Sequence, residues 1–312
     1  MLRRAGEAPT TVWSILWSGM RSGGCGSVVP PERYSLEVRR RVADAAARRR
    51  ARRPTLPGAP GEATNLAGSW CVDVDTSWGT APTETELRTG HVHVWLVRLD
   101  SSIEDAYDAR VAFSDAEARR ATRFLFAHHR TGYVRAHFVL RRLLAQYLGA
   151  VPHAVRLSRS EAGKPRLASH SGLSFNMSRT SDVALYGFSR DGEIGVDIEQ
   201  VRSDIDTQSL ANQFFTTSES TTIAGAGPDE RIRLFFTAWV RKEAVLKAEG
   251  GGLSAGLSAV DVAPQNAESL LTVPLCGSTR SFWHVVTLPP WHGHLAALAT
   301  RRPPSRVRCF LG

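Results

Sequence analysis

The run Gly195-Val196-Asp197-Ile198-Glu199 carries two carboxylates two residues apart. Side chains alternate along a strand, so Ile194, Val196 and Ile198 share one face while Asp197 and Glu199 share the other. Two anions side by side repel unless a cation lies between them, and hard carboxylate oxygens suit Mg²⁺ or Mn²⁺. A solvated strand face beside a basic neighbour gives the same pattern, so this spacing does not decide between the two. A second run, Trp239-Val240-Arg241-Lys242-Glu243-Ala244-Val245-Leu246-Lys247, reads as helix. At about 3.6 residues per turn, Lys242, Glu243 and Lys247 fall on one broad face, a carboxylate flanked by two ammoniums. An exposed helix with a Glu243–Lys247 pair four residues apart would account for part of this.

Lysine is rare here. Of 39 basic residues only Lys164, Lys242 and Lys247 are lysines, and two of the three lie in that helix. A coding preference for Arg explains the scarcity, but the three exceptions mark places where a compact ammonium is not interchangeable with a guanidinium. Lys164 sits in Gly163-Lys164-Pro165, where Pro165 pushes the lysine into extended backbone and the turn presents a cation. The segment Ser174-Phe175-Asn176-Met177-Ser178-Arg179-Thr180-Ser181-Asp182 offers hydroxyls, an amide and a guanidinium that suit phosphate oxygens, or serves as an ordinary polar strand entry. Arg119, Arg120, Arg123 and Arg130 form a basic group that is either a phosphate site or a solvated face.

The elements that must position these residues begin at His91, where Val92, Val94 and Leu96 alternate as on a strand. Ser114 and Glu117 form a capping-box pattern opening a helix toward His129, and helical spacing from Tyr133 continues to Gly149. Val183–Phe188 and Ile194–Val201 read as strands separated by an Asp191-Gly192 turn. Thr216 and Glu219 form a second capping box, and Asp229–Glu249 is the longest helix, stopped by Gly250-Gly251-Gly252. Phe282–Leu288 and His294–Thr300 read as strands around Pro289-Pro290. Mixed order without regular βαβ alternation points to an α+β fold.

Length and composition bound the rest. The 312 residues, 42% hydrophobic and 22% charged, fit a globular chain rather than a fibrous or wholly disordered one. No apolar run approaches the ~18 residues that cross a bilayer. Cys25, Cys71, Cys276 and Cys309 are scattered, which argues against a disulfide framework or zinc knuckle and for a reducing compartment. The formal charge of +9 is spread along the chain. Residues 1–90 read as an Arg-rich extension with too few large apolar residues to fold alone. Their basic stretch Tyr34–Arg53 lacks the interleaved aromatics of a nucleic-acid platform, and Val12–Trp17 is too short for a signal peptide.

In order and spacing these motifs resemble the 4′-phosphopantetheinyl transferases of the surfactin-synthetase-activating type. The resemblance rests on Gly163-Lys164-Pro165, Phe175-Asn176-Met177-Ser178, Gly195-Val196-Asp197-Ile198-Glu199, Phe214-Phe215-Thr216-Thr217-Ser218-Glu219, Trp239-x-x-Lys242-Glu243-Ala244-x-x-Lys247 and Gly252-Leu253-Ser254. It spans about residues 91–301, and the third and fifth motifs are its specific part. It implies two similar α+β halves related by a pseudo-twofold axis, 91–192 and 193–301, with the active site in the cleft between them and 302–312 as a tail. The implied reaction moves the phosphopantetheine arm of coenzyme A onto a serine of an acidic acyl or peptidyl carrier protein. Asp197, Glu199 and Glu243 would hold Mg²⁺ or Mn²⁺. Glu243 would also take the serine proton, while Lys242 and Lys247 would balance phosphate charge. Arg130 and Arg120 would bind the 3′-phosphate, Lys164 and Pro165 the adenine end, and Ser178 and Arg179 the pyrophosphate.

Many members place His where this chain has Arg179, which donates to phosphate but does not titrate near neutrality. That departure alone invites a non-catalytic relative that binds coenzyme A or a carrier protein without transfer. A metal-dependent nuclease built on Asp197 and Glu199 leaves the Trp239 motif unexplained. The resemblance further implies a cytoplasmic monomer with no membrane or nucleic-acid partner. Since no motif lies upstream of it, a chain beginning near Gly90 is expected to fold and act by itself.

Overall fold

The computed structural model describes residues 72–82, 86–99, 113–169, 171–250, 256–266, 271–274 and 282–312. Expectations for Tyr34–Arg53, for Cys25, Cys71 and Cys276, and for Gly252-Leu253-Ser254 fall outside these. In chain order the elements are β1 (Asp73–Val74), β2 (Gly79–Thr80), β3 (His91–Arg98), α1 (Asp115–Ala121), α2 (Ala127–Leu148), β4 (Leu157–Arg159), β5 (Pro165–Leu167), β6 (Ser174–Arg179), β7 (Val183–Ser189), β8 (Ile194–Gln200), α3 (Thr207–Phe214), α4 (Thr217–Gly225), α5 (Pro228–Glu249), β9 (Leu271–Pro274), β10 (Phe282–Thr287), β11 (His294–Thr300) and β12 (Arg306–Leu311). The fold is mixed α+β.

One sheet runs β1-β12-β3-β7-β6, with β2 also on β12; another runs β8-β11-β10-β9; β4 and β5 form a small hairpin. β3 is buried on both faces. Trp95 and Val97, with Tyr186 and Phe188 of β7, pack against Ala136, Leu140, Leu144 and Tyr147 of α2. Val92, Val94 and Leu96 turn the other way and meet Val196, Ile198, Val286 and Leu298 of the second sheet. The inner faces approach closely at Gly187, where a side-chain carbon would stand 2.6 Å from Val196 Cγ1.

Asp191-Gly192 does make a turn, with Gly192 at φ +100°, but β7 and β8 do not pair. Both edges of β7 are taken, by β3 and β6, so the turn carries the chain into the other sheet, where β8 pairs with β11. The helix opened by the Ser114–Glu117 capping box ends at Ala121, and α2 begins afresh at Ala127. Gly149 at φ +60° closes α2 and Gly250 at φ +80° closes α5. No helix among the described residues is long and apolar enough to cross a membrane.

Two expected boundaries are corrected. Residues 302–312 are not a tail: β12 lies inside the first sheet, parallel to β3 from Arg306↔His91 to Leu311↔Leu96, with Val307 and Cys309 buried. The core also begins before His91. β1 and β2 pair with β12, Asp75 Oδ2 accepts from Cys309 N at 3.0 Å, Trp78 Nε1 donates to Pro289 O at 3.0 Å, and Leu87 is buried in the α2 core. A chain beginning at residue 91 is therefore expected to lose on the order of 3 kcal/mol or more, the scale of deleting a large core side chain. One beginning at residue 72 keeps β1, β2 and Leu87 and should have the higher thermal midpoint of the two; equal midpoints for both truncations would contradict this packing.

Candidate functional site

The carboxylates come together because β8 turns one face to α5. Gly195 makes that contact possible: a side-chain carbon there would stand 2.0 Å from Ala244 O and 2.4 Å from Ala248 N. Strand and helix backbones touch, and the next same-face residues, Asp197 and Glu199, are directed along the helix that bears Glu243 and Lys247. All three acids are buried. Across the seam, β6 fastens to β8 through the Asn176 side chain, whose Oδ1 accepts from Val196 N at 2.9 Å.

Lys247 Nζ lies 2.5 Å from Asp197 Oδ1 and donates to Ser178 Oγ at 2.8 Å, while Ser178 Oγ donates to the same Asp197 oxygen at 2.8 Å. Asp197 Oδ2 and Glu243 Oε1 are buried without a hydrogen-bond partner. Burial and then the Asp197 charge push the Glu199 carboxyl well above the usual range, and the same two causes push Glu243 up to about 7. The Lys247 ammonium thus faces three acids, and the Arg202 guanidinium also acts on Glu199. Among the described residues no His, Cys, Asp and Glu side chains form a ready-made metal shell as they stand; one Asp197 oxygen is turned to Lys247 and Ser178. The donor set nevertheless fits a hard divalent cation: two orphaned carboxylate oxygens and a third acid disfavour one another until positive charge arrives.

Lys242 does not join this cluster. Its side chain diverges from that of Glu243, is wholly buried, and ends 2.6 Å from Glu219 Oε2. The ammonium donates to Leu257 O at 3.0 Å and to Val260 O, and lies 5.1 Å from the Phe215 ring centroid. Glu219 in turn closes the Thr216 capping box and accepts from Val262 N at 2.9 Å. The role of balancing phosphate charge is therefore corrected: Lys242 links α5 to the start of α4 and to residues 257–262. Lys242→Met would strand the Glu219 charge at a cost of roughly 3–5 kcal/mol, read as a fall in thermal midpoint. Weaker coenzyme A binding at an unchanged midpoint would instead return this lysine to the phosphates. Trp239, fully buried against Phe215 and Phe235, anchors the same helix.

Lys164 is also buried, its ammonium bonded to Glu193, Ile194 O and Ala248 O, so it offers no free donor to a ligand at the adenine end. Pro165 begins β5 and is half-buried. Arg179 and Arg120 do come together. Arg179 lies against Gly132 of α2, where a side-chain carbon would be 3.8 Å from Nη1, and the Arg120 guanidinium is 5.9 Å from the Tyr133 ring. Burial holds Arg179 below its ordinary pKa, and the like charge of Arg120 adds to this. Arg130 is exposed on the first turn of α2.

The sequence reading missed the partners that hold these groups. Glu117 pairs with Arg141 at 2.7 Å and so fixes α1, the helix of Arg120, to α2. Burial raises Glu117, but the His137 ring 3.6 Å away and hydrogen bonds from Arg141 and Ser114 outweigh it and leave the carboxyl far below its usual range. Glu193 was unassigned, and the Asn176 amide, read as one of the groups suited to phosphate oxygens or as part of a polar strand entry, instead fastens β6 to β8 by accepting from Val196 N.

Residues 193–299, which contain β8, α5 and every carboxylate of the cluster, match the family model described as the 4′-phosphopantetheinyl transferase superfamily. The 4′-phosphopantetheinyl transferase HetI of Nostoc is 32% identical over 228 residues, covering 72% of this chain and 93% of the relative. A putative 4′-phosphopantetheinyl transferase of Synechocystis, slr0495, is 30% identical over 63% of this chain and 79% of its own length. The transferase AcpT of Escherichia coli O157:H7 is 35% identical over 36% of this chain and 55% of its own length. Likeness to HetI over nearly that protein's whole length places this chain in the 4′-phosphopantetheinyl transferase superfamily.

Proposed function

We propose that the protein transfers the 4′-phosphopantetheine arm of coenzyme A to a serine of an apo acyl or peptidyl carrier protein, releasing adenosine 3′,5′-bisphosphate. The observation that carries the site assignment is the pair of buried, partnerless oxygens on Asp197 and Glu243 beside a third acid. Asp197, Glu199 and Glu243 would hold Mg²⁺, with Mn²⁺ as a substitute. When bound, the ion supplies charge that joins the coenzyme A pyrophosphate to an otherwise repulsive acid cluster and neutralises charge on the leaving phosphate.

The chain's own groups supply the remainder. The carrier serine oxygen forms a bond to the phosphorus bearing pantetheine, the pyrophosphate bridge to that phosphorus breaks, and the serine proton passes to Glu243, directly or through water. Burial and the Asp197 charge raise the proton affinity of Glu243 before any cation is bound. Lys247, bonded to Asp197 and Ser178, places a cation beside the phosphates. Arg179 and Arg120 form the basic wall for the anionic substrate, with Arg130 assigned to the 3′-phosphate. Release of adenosine 3′,5′-bisphosphate, followed by chromatography of coenzyme A with Mg²⁺ and an apo carrier protein, tests the proposal; no nucleotide release with any carrier would oppose it.

The paired motifs support placement in the surfactin-synthetase-activating type. A sheet with its long helix in each half, α2 on the first and α5 on the second, supports the pseudo-twofold reading with the site between the halves. We also assign the enzyme to the cytoplasm as a monomer, with an acidic carrier protein as partner and no nucleic-acid or membrane role.

Arg179→Ala is expected to raise the KM for coenzyme A by roughly 10- to 150-fold, the loss of one charge-assisted contact of about 1.5–3 kcal/mol. Arg179→His should recover much of it. With dephospho-coenzyme A, wild type and variant should lose equally. An unequal loss would put Arg179 on the 3′-phosphate instead.

A further inference from the structure

Lys164 reaches from the β4–β5 hairpin to the opposite end of the seam between β8 and α5. Its backbone is fixed by Gly163 at φ +87° and by the Ser160 hydroxyl, which accepts from Lys164 N at 3.1 Å. Its ammonium then meets Glu193 Oε2 at 2.5 Å, Ile194 O at 3.1 Å and Ala248 O at 2.9 Å. An ammonium has three donors, and all three are used. The partners identify what is being held. Ile194 is the first residue of β8, the strand of Asp197 and Glu199. Ala248 lies in the last turn of α5, next to Lys247, and its carbonyl is among those a helix end leaves without an intrahelical donor. A cation there also meets the negative end of the helix dipole. Glu193 is held from its other oxygen by Arg166 at 2.7 Å.

The geometry points to Lys164 as a positioning residue for the acid cluster: by tying the start of β8 to the end of α5, it sets Asp197 and Glu199 of the strand against Glu243 and Lys247 of the helix. This rests on the reading of those acids as a divalent-cation site. It differs from the role at the adenine end that the Gly-Lys-Pro resemblance implies, because a bonded, buried ammonium acts through the backbone it holds. At Gly195, beside this tie, the two backbones already touch, so loss of Lys164 frees the seam where close packing alone would have to hold it.

The test uses full-length protein and Mn²⁺ alone, with bound ion read from the loss of the free-Mn²⁺ electron paramagnetic resonance signal and no turnover required. Lys164→Met should weaken Mn²⁺ binding about tenfold or more, the scale of removing an outer support from a metal site. At saturating Mg²⁺ the KM for coenzyme A should change less than about threefold, while kcat falls. Glu193→Gln, which removes the same tie from a half-exposed partner, should show the same split in milder form, and it decides the matter if Lys164→Met does not fold. Mn²⁺ affinity within twofold of wild type, with a KM for coenzyme A raised tenfold, would overturn the proposal and return Lys164 to the substrate. Failure of the wild type to bind Mn²⁺ would overturn the metal reading itself.

Discussion

Replacing Glu243 by glutamine is expected to abolish transfer while leaving the fold intact. The side chain keeps its size, and Oε1 has no hydrogen-bond partner to lose. What disappears is one negative charge in a buried cluster where burial and Asp197 already oppose ionisation. The thermal midpoint without metal should therefore hold or rise. Metal-borne charge stabilisation is worth several kcal/mol, so turnover should fall roughly a thousandfold or more at about 1.4 kcal/mol per tenfold. Asp197→Asn should be as inactive but less stable, because Lys247 and Ser178 lose the carboxylate they share. Near wild-type turnover of either variant at saturating Mg²⁺ would remove these acids from the mechanism.

Gly195→Ala should have a large effect on the fold and on the site together. The added carbon meets Ala244 O and Ala248 N, which are backbone atoms of a helix and cannot swing aside as a side-chain tip can. Strand and helix must part, at about 3 kcal/mol or more, the upper end of overpacking penalties. Because Asp197 and Glu199 follow on the same strand face, Mn²⁺ binding should fail with the midpoint. Gly225→Ala serves as the control: nothing lies within 4 Å of a carbon added there, so it should be neutral or slightly stabilising. A Gly195→Ala protein as stable as wild type would contradict the backbone contact.

Much of the site was legible because it depends on strand period. Ile194, Val196 and Ile198 against Asp197 and Glu199 is a two-residue alternation, and the structure keeps it. The scarcity of lysine marked three positions, each of which the structure pairs with a carboxylate, but it did not show which one. On a helical wheel Lys242 and Glu243 are neighbours, yet a turn of roughly 100° between successive residues sends one to Glu219 and the other toward Asp197. Glu219 was read as a capping residue within the Phe214–Glu219 motif, and nothing local revealed its bond to Lys242.

The boundaries failed for a different reason. Arg306–Cys309 alternates basic and apolar residues as a strand does, but its partner β3 is some two hundred positions away, and parallel pairing over that distance leaves no turn signal. The gap between α1 and α2 carries neither Gly nor Pro, so helical spacing ran through it unbroken. Lys164 shows the same limit, since a turn that presents a cation does not say whether ligand or protein receives it.

The most direct measurement is the intact mass of an apo carrier protein after incubation with the full-length enzyme, coenzyme A and Mg²⁺. The account predicts a gain of one phosphopantetheine, on a single serine, that EDTA prevents. Mg²⁺ or Mn²⁺ should restore it, and Ca²⁺ only poorly, since Ca²⁺ takes longer bonds and looser geometry. The Glu243→Gln protein should leave the carrier mass unchanged under the same conditions. Unmodified carriers throughout, despite tight binding of coenzyme A by the wild type, would contradict transfer and mark a relative that binds without reacting.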